Sequence, residues 1–147
     1  MTAFVTAGAG FLLAVLWFDL MFDVQVLRNP ARRGALDSVS AYYRRVTTTA
    51  RPMNLLVGAV MAGTLAAVVA QVVGDEAPDW AAWASLALAG TAIGLAAVHT
   101  YPAARRVGAG TDPDDVQSAL ARSIGRDHLL CIAAISAVLV IQLAFAR

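Results

Sequence analysis

Two carboxylates four residues apart, Asp19 and Asp23, lie among the aromatic and aliphatic side chains of the apolar run that ends at Arg28. On a helix they stand one turn apart on a single face. A carboxylate near the centre of a membrane helix costs about 2.5 to 3.5 kcal/mol and normally faces protein or a water-filled cavity, so two on one face need partners. Further polar groups recur at comparable depth: Arg51 and Asn54 at the start of the second apolar run, His99 at the end of the third, Asp127 and His128 at the start of the fourth. Three chemistries fit this set. Asp19 or Asp23 can pair with Arg51 or Arg126 as structural ions. Asp19, Asp23, His99 and His128 can ligate a transition metal or accompany a haem, since imidazole and carboxylate from facing helices suit iron, zinc, manganese or copper. The carboxylates can also relay protons or cations in a small carrier or channel.

The elements that would hold these residues are membrane helices. Of 147 residues, 59% are hydrophobic and only 14% charged, too apolar for an ordinary water-soluble domain of this length. Four stretches, at about 4–26, 53–73, 80–98 and 129–145, approach the length needed to cross roughly 30 Å of hydrocarbon. The expected fold is therefore an all-α bundle of four transmembrane helices forming a single integral membrane domain over 1–147. Asn29-Pro30 is read as the end of the first span and Tyr101-Pro102 as the end of the third, whereas the fourth grows out of the preceding loop with Gly125 as a soft point.

Charge sets the expected orientation. All eleven basic residues are arginine, and ten of them lie between spans one and two or between spans three and four; the turn from Gly74 to Asp79 carries only acids. The positive-inside rule makes the arginine-rich side cytoplasmic and places both termini outside. Arginine without lysine, together with abundant alanine, is the composition of a GC-rich bacterial genome, and the expected location is the bacterial inner membrane. The single cysteine, Cys131, excludes an intrachain disulfide and is read as a small apolar core residue.

Both cytoplasmic connections read as amphipathic helices lying on the inner membrane surface. Leu36, Val39, Tyr43 and Val46 form the apolar stripe of the first, and Val116, Ala119, Leu120 and Ile124 that of the second. Thr47, Thr48 and Thr49 are read as satisfying local backbone. Gly8, Gly10 and Ala14, the pair Gly90 and Gly94, and Ala59, Gly63 and Ala67 offer small faces for helix packing, inside the bundle or in a homo-oligomer.

The layout, with Trp17-Phe18 and Phe22 in span one, Tyr43-Arg44 leading to Pro52, and Arg105-Arg106 running through Arg126-Asp127 into span four, resembles small four-span bacterial membrane proteins. These include the haem-associated protoporphyrinogen oxidase family and the copper-resistance D-type domains. The histidine that the former family typically carries in its first span and the lysine near its second have no counterpart here. The functional expectation is a polar pocket facing the cytoplasm that binds a metal, cofactor or amphiphilic small molecule. Asp19, Asp23, Arg51 and Asn54 would serve catalysis, with Trp17, His99 and His128 against the cofactor, as in a membrane oxidoreductase. A proton-coupled carrier or channel, or a noncatalytic subunit of a larger complex, are the alternatives. Lipids are the expected surroundings, and no nucleic-acid partner is expected.

Overall fold

The computed structural model describes residues 1–28, 33–74 and 77–145, with the side chains of Arg33 and Arg51 left out. The described residues are helical apart from short turns. Helix α1 runs over Thr2–Arg28, α2 over Arg33–Arg44, α3 over Arg51–Val73, α4 over Asp79–Leu95, α5 over Tyr101–Ala109 and α6 over Asp114–Phe145. Four helical stretches, Thr2–Arg28, Pro52–Val73, Asp79–Ala109 and Asp114–Phe145, are long and apolar enough to cross a membrane. The all-α, four-span architecture expected from hydropathy is the architecture observed.

Helices α1, α3, α4 and α6 close a ring in which α6 packs against α1 and α4, and α3 packs against the same two from the other side. The diagonal pairs, α1 with α4 and α3 with α6, face each other across the bundle axis. At the end away from the arginines, that axis is filled by amides. The Gln71 side chain donates to Gln142 Oε1 at 2.8 Å, Gln142 donates back to Gln71 Oε1 at 3.1 Å and to Ser85 Oγ at 3.1 Å, and Gln71 also reaches Thr2 Oγ1 at 3.2 Å. Both glutamines are fully buried, and the network joins all four helices. Replacing Gln142 by Leu is expected to cost about 1 to 3 kcal/mol, because the Gln71 amide and the Ser85 hydroxyl then stay in the core without partners. The double substitution Gln71→Leu/Gln142→Leu removes both amides and leaves only the Ser85 hydroxyl unpartnered in the core, so it is expected to cost less than the single substitution. Unfolding in mixed micelles, read as a double-mutant cycle, checks the difference.

Two proline positions behave differently from expectation. Tyr101-Pro102 does not end the third span: a π turn over Ala96–Thr100 carries the helix into α5, and Tyr101 N–H donates to the Ala96 carbonyl. The wider i to i−5 ladder accommodates a residue with no N–H at the first turn of the next segment. A second π turn, Arg45–Thr49, precedes Pro52 in the same way, and Ala50 N–H donates to the Arg45 carbonyl at 3.0 Å. Thr47 Oγ1 donates to the Tyr43 carbonyl at 2.7 Å and Thr48 Oγ1 to that of Arg44, so these threonines do serve local backbone. Asn29-Pro30, read as the stop of span one, lies outside the described residues, and α1 is described as far as Arg28.

The amphipathic connections are also used differently. The apolar stripe of α2, Ala35, Val39 and Tyr43, is buried against Val26 of α1, Ala103, Ala104 and Val107 of α5, and Ala121 and Ile124 of α6. It faces protein, where a surface helix would turn it to lipid. The second stripe belongs to the first turns of the unbroken helix α6 and is no separate helix. Glycine Gly108 lets α2 approach α5: a Cβ there would lie 2.7 Å from Arg44 N and 2.9 Å from Arg44 Cα. Across this contact Ser40 Oγ donates to the Val107 carbonyl at 2.9 Å and Arg44 Nε to that of Gly108 at 3.1 Å. Gly8 is similarly closed by Thr64 of α3, whereas Gly10, Gly63, Gly90 and Gly94 have open space where a Cβ would stand.

Candidate functional site

Because α2 is folded back onto the basic end of the bundle, its last turn hangs two tyrosines over the carboxylates of α1. Tyr42 OH donates to Asp19 Oδ1 at 2.5 Å, and Tyr43 OH donates to Asp23 Oδ1 at 2.6 Å. The four-residue spacing on α1 and the adjacent pair on α2 meet because α1 and α2 pack together. From the other side, α6 supplies His128, whose Nδ1 lies 2.6 Å from Asp23 Oδ2 and whose Nε2 lies 3.8 Å from Asp19 Oδ2. A carboxylate only accepts, so the short contact places a proton on Nδ1. Asp23 is fully buried and both its oxygens are engaged. Gly125, one turn before His128, keeps α6 close, with the space of its absent side chain lying 3.3 Å from Asp23 Cβ.

Phe22 stacks on the Tyr42 ring with centroids 4.0 Å apart and planes 9° from parallel, fixing that ring over Asp19. Burial, reinforced by the neighbouring carboxylates, pushes both the Tyr42 and Tyr43 phenols well above their ordinary range. The two tyrosines therefore act as neutral donors. Their roles follow from the α2 stripe: Tyr43 continues the spacing of Ala35 and Val39, which turns a phenol expected at the membrane interface into a buried hydrogen-bond donor.

A second polar pair lies nearby but is distinct. His99, in the π turn, places Nδ1 2.6 Å from Asp127 Oδ2, and Thr100 Oγ1 donates to the same oxygen at 3.0 Å. Ser123 Oγ stands 3.5 Å from His99 Nε2. Asp127 is buried, while the His99 side chain is 49% exposed. Sequence reading missed Thr100 and Ser123 because their neighbourhood depends on the π turn carrying the helix past Tyr101.

The four residues expected to share one centre thus divide: Asp19, Asp23 and His128 come together, and His99 pairs with Asp127. Among the described residues, no group of three or more His, Cys, Asp or Glu side chains is arranged to hold a metal ion. Among the described side chains, tyrosine and imidazole, and no arginine, meet the carboxylates. Arg126 is exposed, and the Arg51 side chain lies outside the described residues. Trp17, expected against a cofactor, is 64% exposed on the outer face of α1. Asn54 Nδ2 donates to the Val46 carbonyl at 2.5 Å, tying α3 to the π turn that precedes it.

A cavity of about 540 Å³ adjoins this cluster, with Asp19, Tyr42, His128 and Asn54 on its polar wall and Leu12, Val57, Met61, Cys131 and Ile135 among its apolar lining. Its other boundary is formed by the basic half of α3 and the π turn at the end of α4. From Pro52 to Gly63 no residue of α3 is buried; its buried residues, Thr64, Ala67, Val68 and Gln71, all lie in the other half. The cavity therefore abuts the least embedded stretch of the bundle.

A family model of the SHR3 chaperones, described as ER membrane protein SH3, matches residues 1–146. No curated protein and no solved structure matches the chain. The family match overturns the resemblance to haem-associated protoporphyrinogen oxidases and copper-resistance D-type domains, which rested on span layout with few identities. It also points to the endoplasmic reticulum membrane in place of the bacterial inner membrane with termini outside. Arginine-only basic composition reports on the coding genome, and span length with one-sided positive charge is shared by both membranes.

Proposed function

Because this chain belongs to the SHR3 chaperone family of ER membrane proteins, we propose that it is a noncatalytic membrane chaperone that holds client membrane proteins through their transmembrane helices. The observation that carries this reading is the extent of the family match, which takes in all four membrane-length helices. In this reading 1–147 acts as one membrane-embedded unit, and its working surface is the cavity beside α3. Asp19, Asn54 and His128 meet the client there. Asp23, buried behind them, positions His128 and Tyr43, while His99 stabilises the π turn through Asp127. Trp17 contacts lipid.

The weakly embedded half of α3 supports this role physically. A transmembrane client reaches a chaperone from within the bilayer, so the receiving surface must open sideways. Helices in lipid associate through close packing and a few hydrogen bonds, and the cavity supplies an apolar wall with a small number of polar groups. The test is removal of the protein from its native cells, followed by measurement of the fraction of multi-span plasma-membrane proteins that aggregate in the endoplasmic reticulum. The expected result is retention and aggregation of a defined set, restored by re-expression, with soluble secreted proteins unaffected. Unchanged export of every multi-span protein would overturn the proposal.

A further inference from the structure

We propose that the cavity recognises a cationic side chain, lysine or arginine, carried within the apolar span of a transmembrane helix of the client. This rests on the chaperone reading and assigns its specificity. Asp19 and Asp23 share one imidazole, and the only ion pairs either makes among the described residues are to His128. Even a protonated His128 compensates one carboxylate, and no other described side chain pairs with the second as a cation. The tyrosines donate hydrogen bonds but carry no charge. Buried charge of one sign inside a membrane calls for a partner of the other, and Asp19 is the carboxylate that faces the cavity.

Asp19 is nine residues from Arg28, about 14 Å along the helix at 1.5 Å per residue, so it lies within the apolar run and not at the level of the arginines. A lysine carried at that level of a client helix is costly against lipid, so a carboxylate facing it discriminates between a cation and a neutral side chain. Met53, Leu55 and Tyr101 at the cavity rim are exposed, Ala97 is exposed on the π turn, and the missing side chain of Gly58 leaves open space. The opening lies between two membrane-length helices, so a client side chain enters from the bilayer while its helix stays outside. A volume of about 540 Å³ suits one or two side chains and lies within the range of about 300 to 1,000 Å³ usual for ligand sites.

The test uses the full-length protein in phosphatidylcholine nanodiscs, titrated with fluorescent alanine-leucine transmembrane peptides carrying a single central Lys, Gln or Glu, or a Lys near one end. The central-Lys peptide is expected to bind about tenfold more tightly than the Gln peptide. That preference is expected to disappear in Asp19→Asn, which keeps the acceptor for Tyr42. It should disappear equally in Gly58→Leu, which narrows the opening and leaves the carboxylate in place. Equal binding of Lys and Gln peptides, or a Lys preference unchanged in Asp19→Asn, would overturn the cation assignment and leave client binding standing. Failure of every peptide to bind would count against the chaperone reading itself. Loss of the Lys preference on adding phosphatidylethanolamine would assign the site to a lipid ammonium group and overturn the client assignment.

Discussion

Asp23→Ala is expected to destabilise the folded bundle by about 3 kcal/mol, the low end of the range for removing one member of a buried pair. The substitution strips the acceptor from two buried donors at once, Tyr43 OH and His128 Nδ1, each now 2.6 Å from an Asp23 oxygen. No water reaches a group with zero exposure to take over. The low end applies because a chain unfolded within lipid also finds partners for its polar groups, which reduces the net worth of such bonds. Asp23→Asn keeps an acceptor for Tyr43 and is expected to recover about half of the loss. Denaturation in mixed micelles gives the magnitudes. A double-mutant cycle with His128→Ala should show strong non-additivity, and additive costs would mean that the imidazole and carboxylate do not act as a unit.

Gly108→Ala carries the second large expectation, about 3 kcal/mol, the upper end for overpacking, since the added methyl meets backbone. A Cβ at 2.7 Å from Arg44 N and 2.9 Å from the Tyr43 carbonyl carbon cannot be relieved by rotating a side chain. Helix α2 must move as a body, and Tyr42 and Tyr43 move with it. The distinguishing readout is coupling to the site: Tyr43→Phe should cost about 1.5 to 3 kcal/mol in the native background, as for a hydrogen bond to a charged group, and clearly less beside Gly108→Ala. Gly90→Ala is the matched control, because open space surrounds that position. It is expected to leave stability unchanged or raise it by about 0.5 to 1 kcal/mol through helix propensity. Equal effects at the two glycines would refute the close approach of α2 to α5.

The four spans and the shared face of Asp19 and Asp23 were legible in the sequence because hydropathy and the helical repeat are local properties. Their partners were not. Tyr43 was read into the stripe of a helix on the membrane surface because an amphipathic stripe beside a membrane span reads equally well as facing lipid or protein. Only the placement of Gly108 on α5, distant in sequence, decides between the two. Pro102 was read as a helix end, since the rule concerns the α ladder, and a π turn two residues earlier removes the conflict. The bond between Gln71 and Gln142 was not legible because their juxtaposition spans a diagonal of the bundle. The pairing of Asp19 with an arginine was expected from charge alone, whereas among the described side chains it is phenols and an imidazole that meet the carboxylates.

One consequence follows from the uneven embedding of α3. Its far half is clamped by the Gln71 amide and by Thr64, Ala67 and Val68, while its near half, from Pro52 to Gly63, buries no side chain. The near half is held by partial packing of Val57, Val60 and Met61 against the core and by two bonds from Asn54, its N–H to the Ala50 carbonyl and its side chain to that of Val46. The two ends of the rod are thus moored by different means, amides across the bundle at one and the neighbouring π turn at the other.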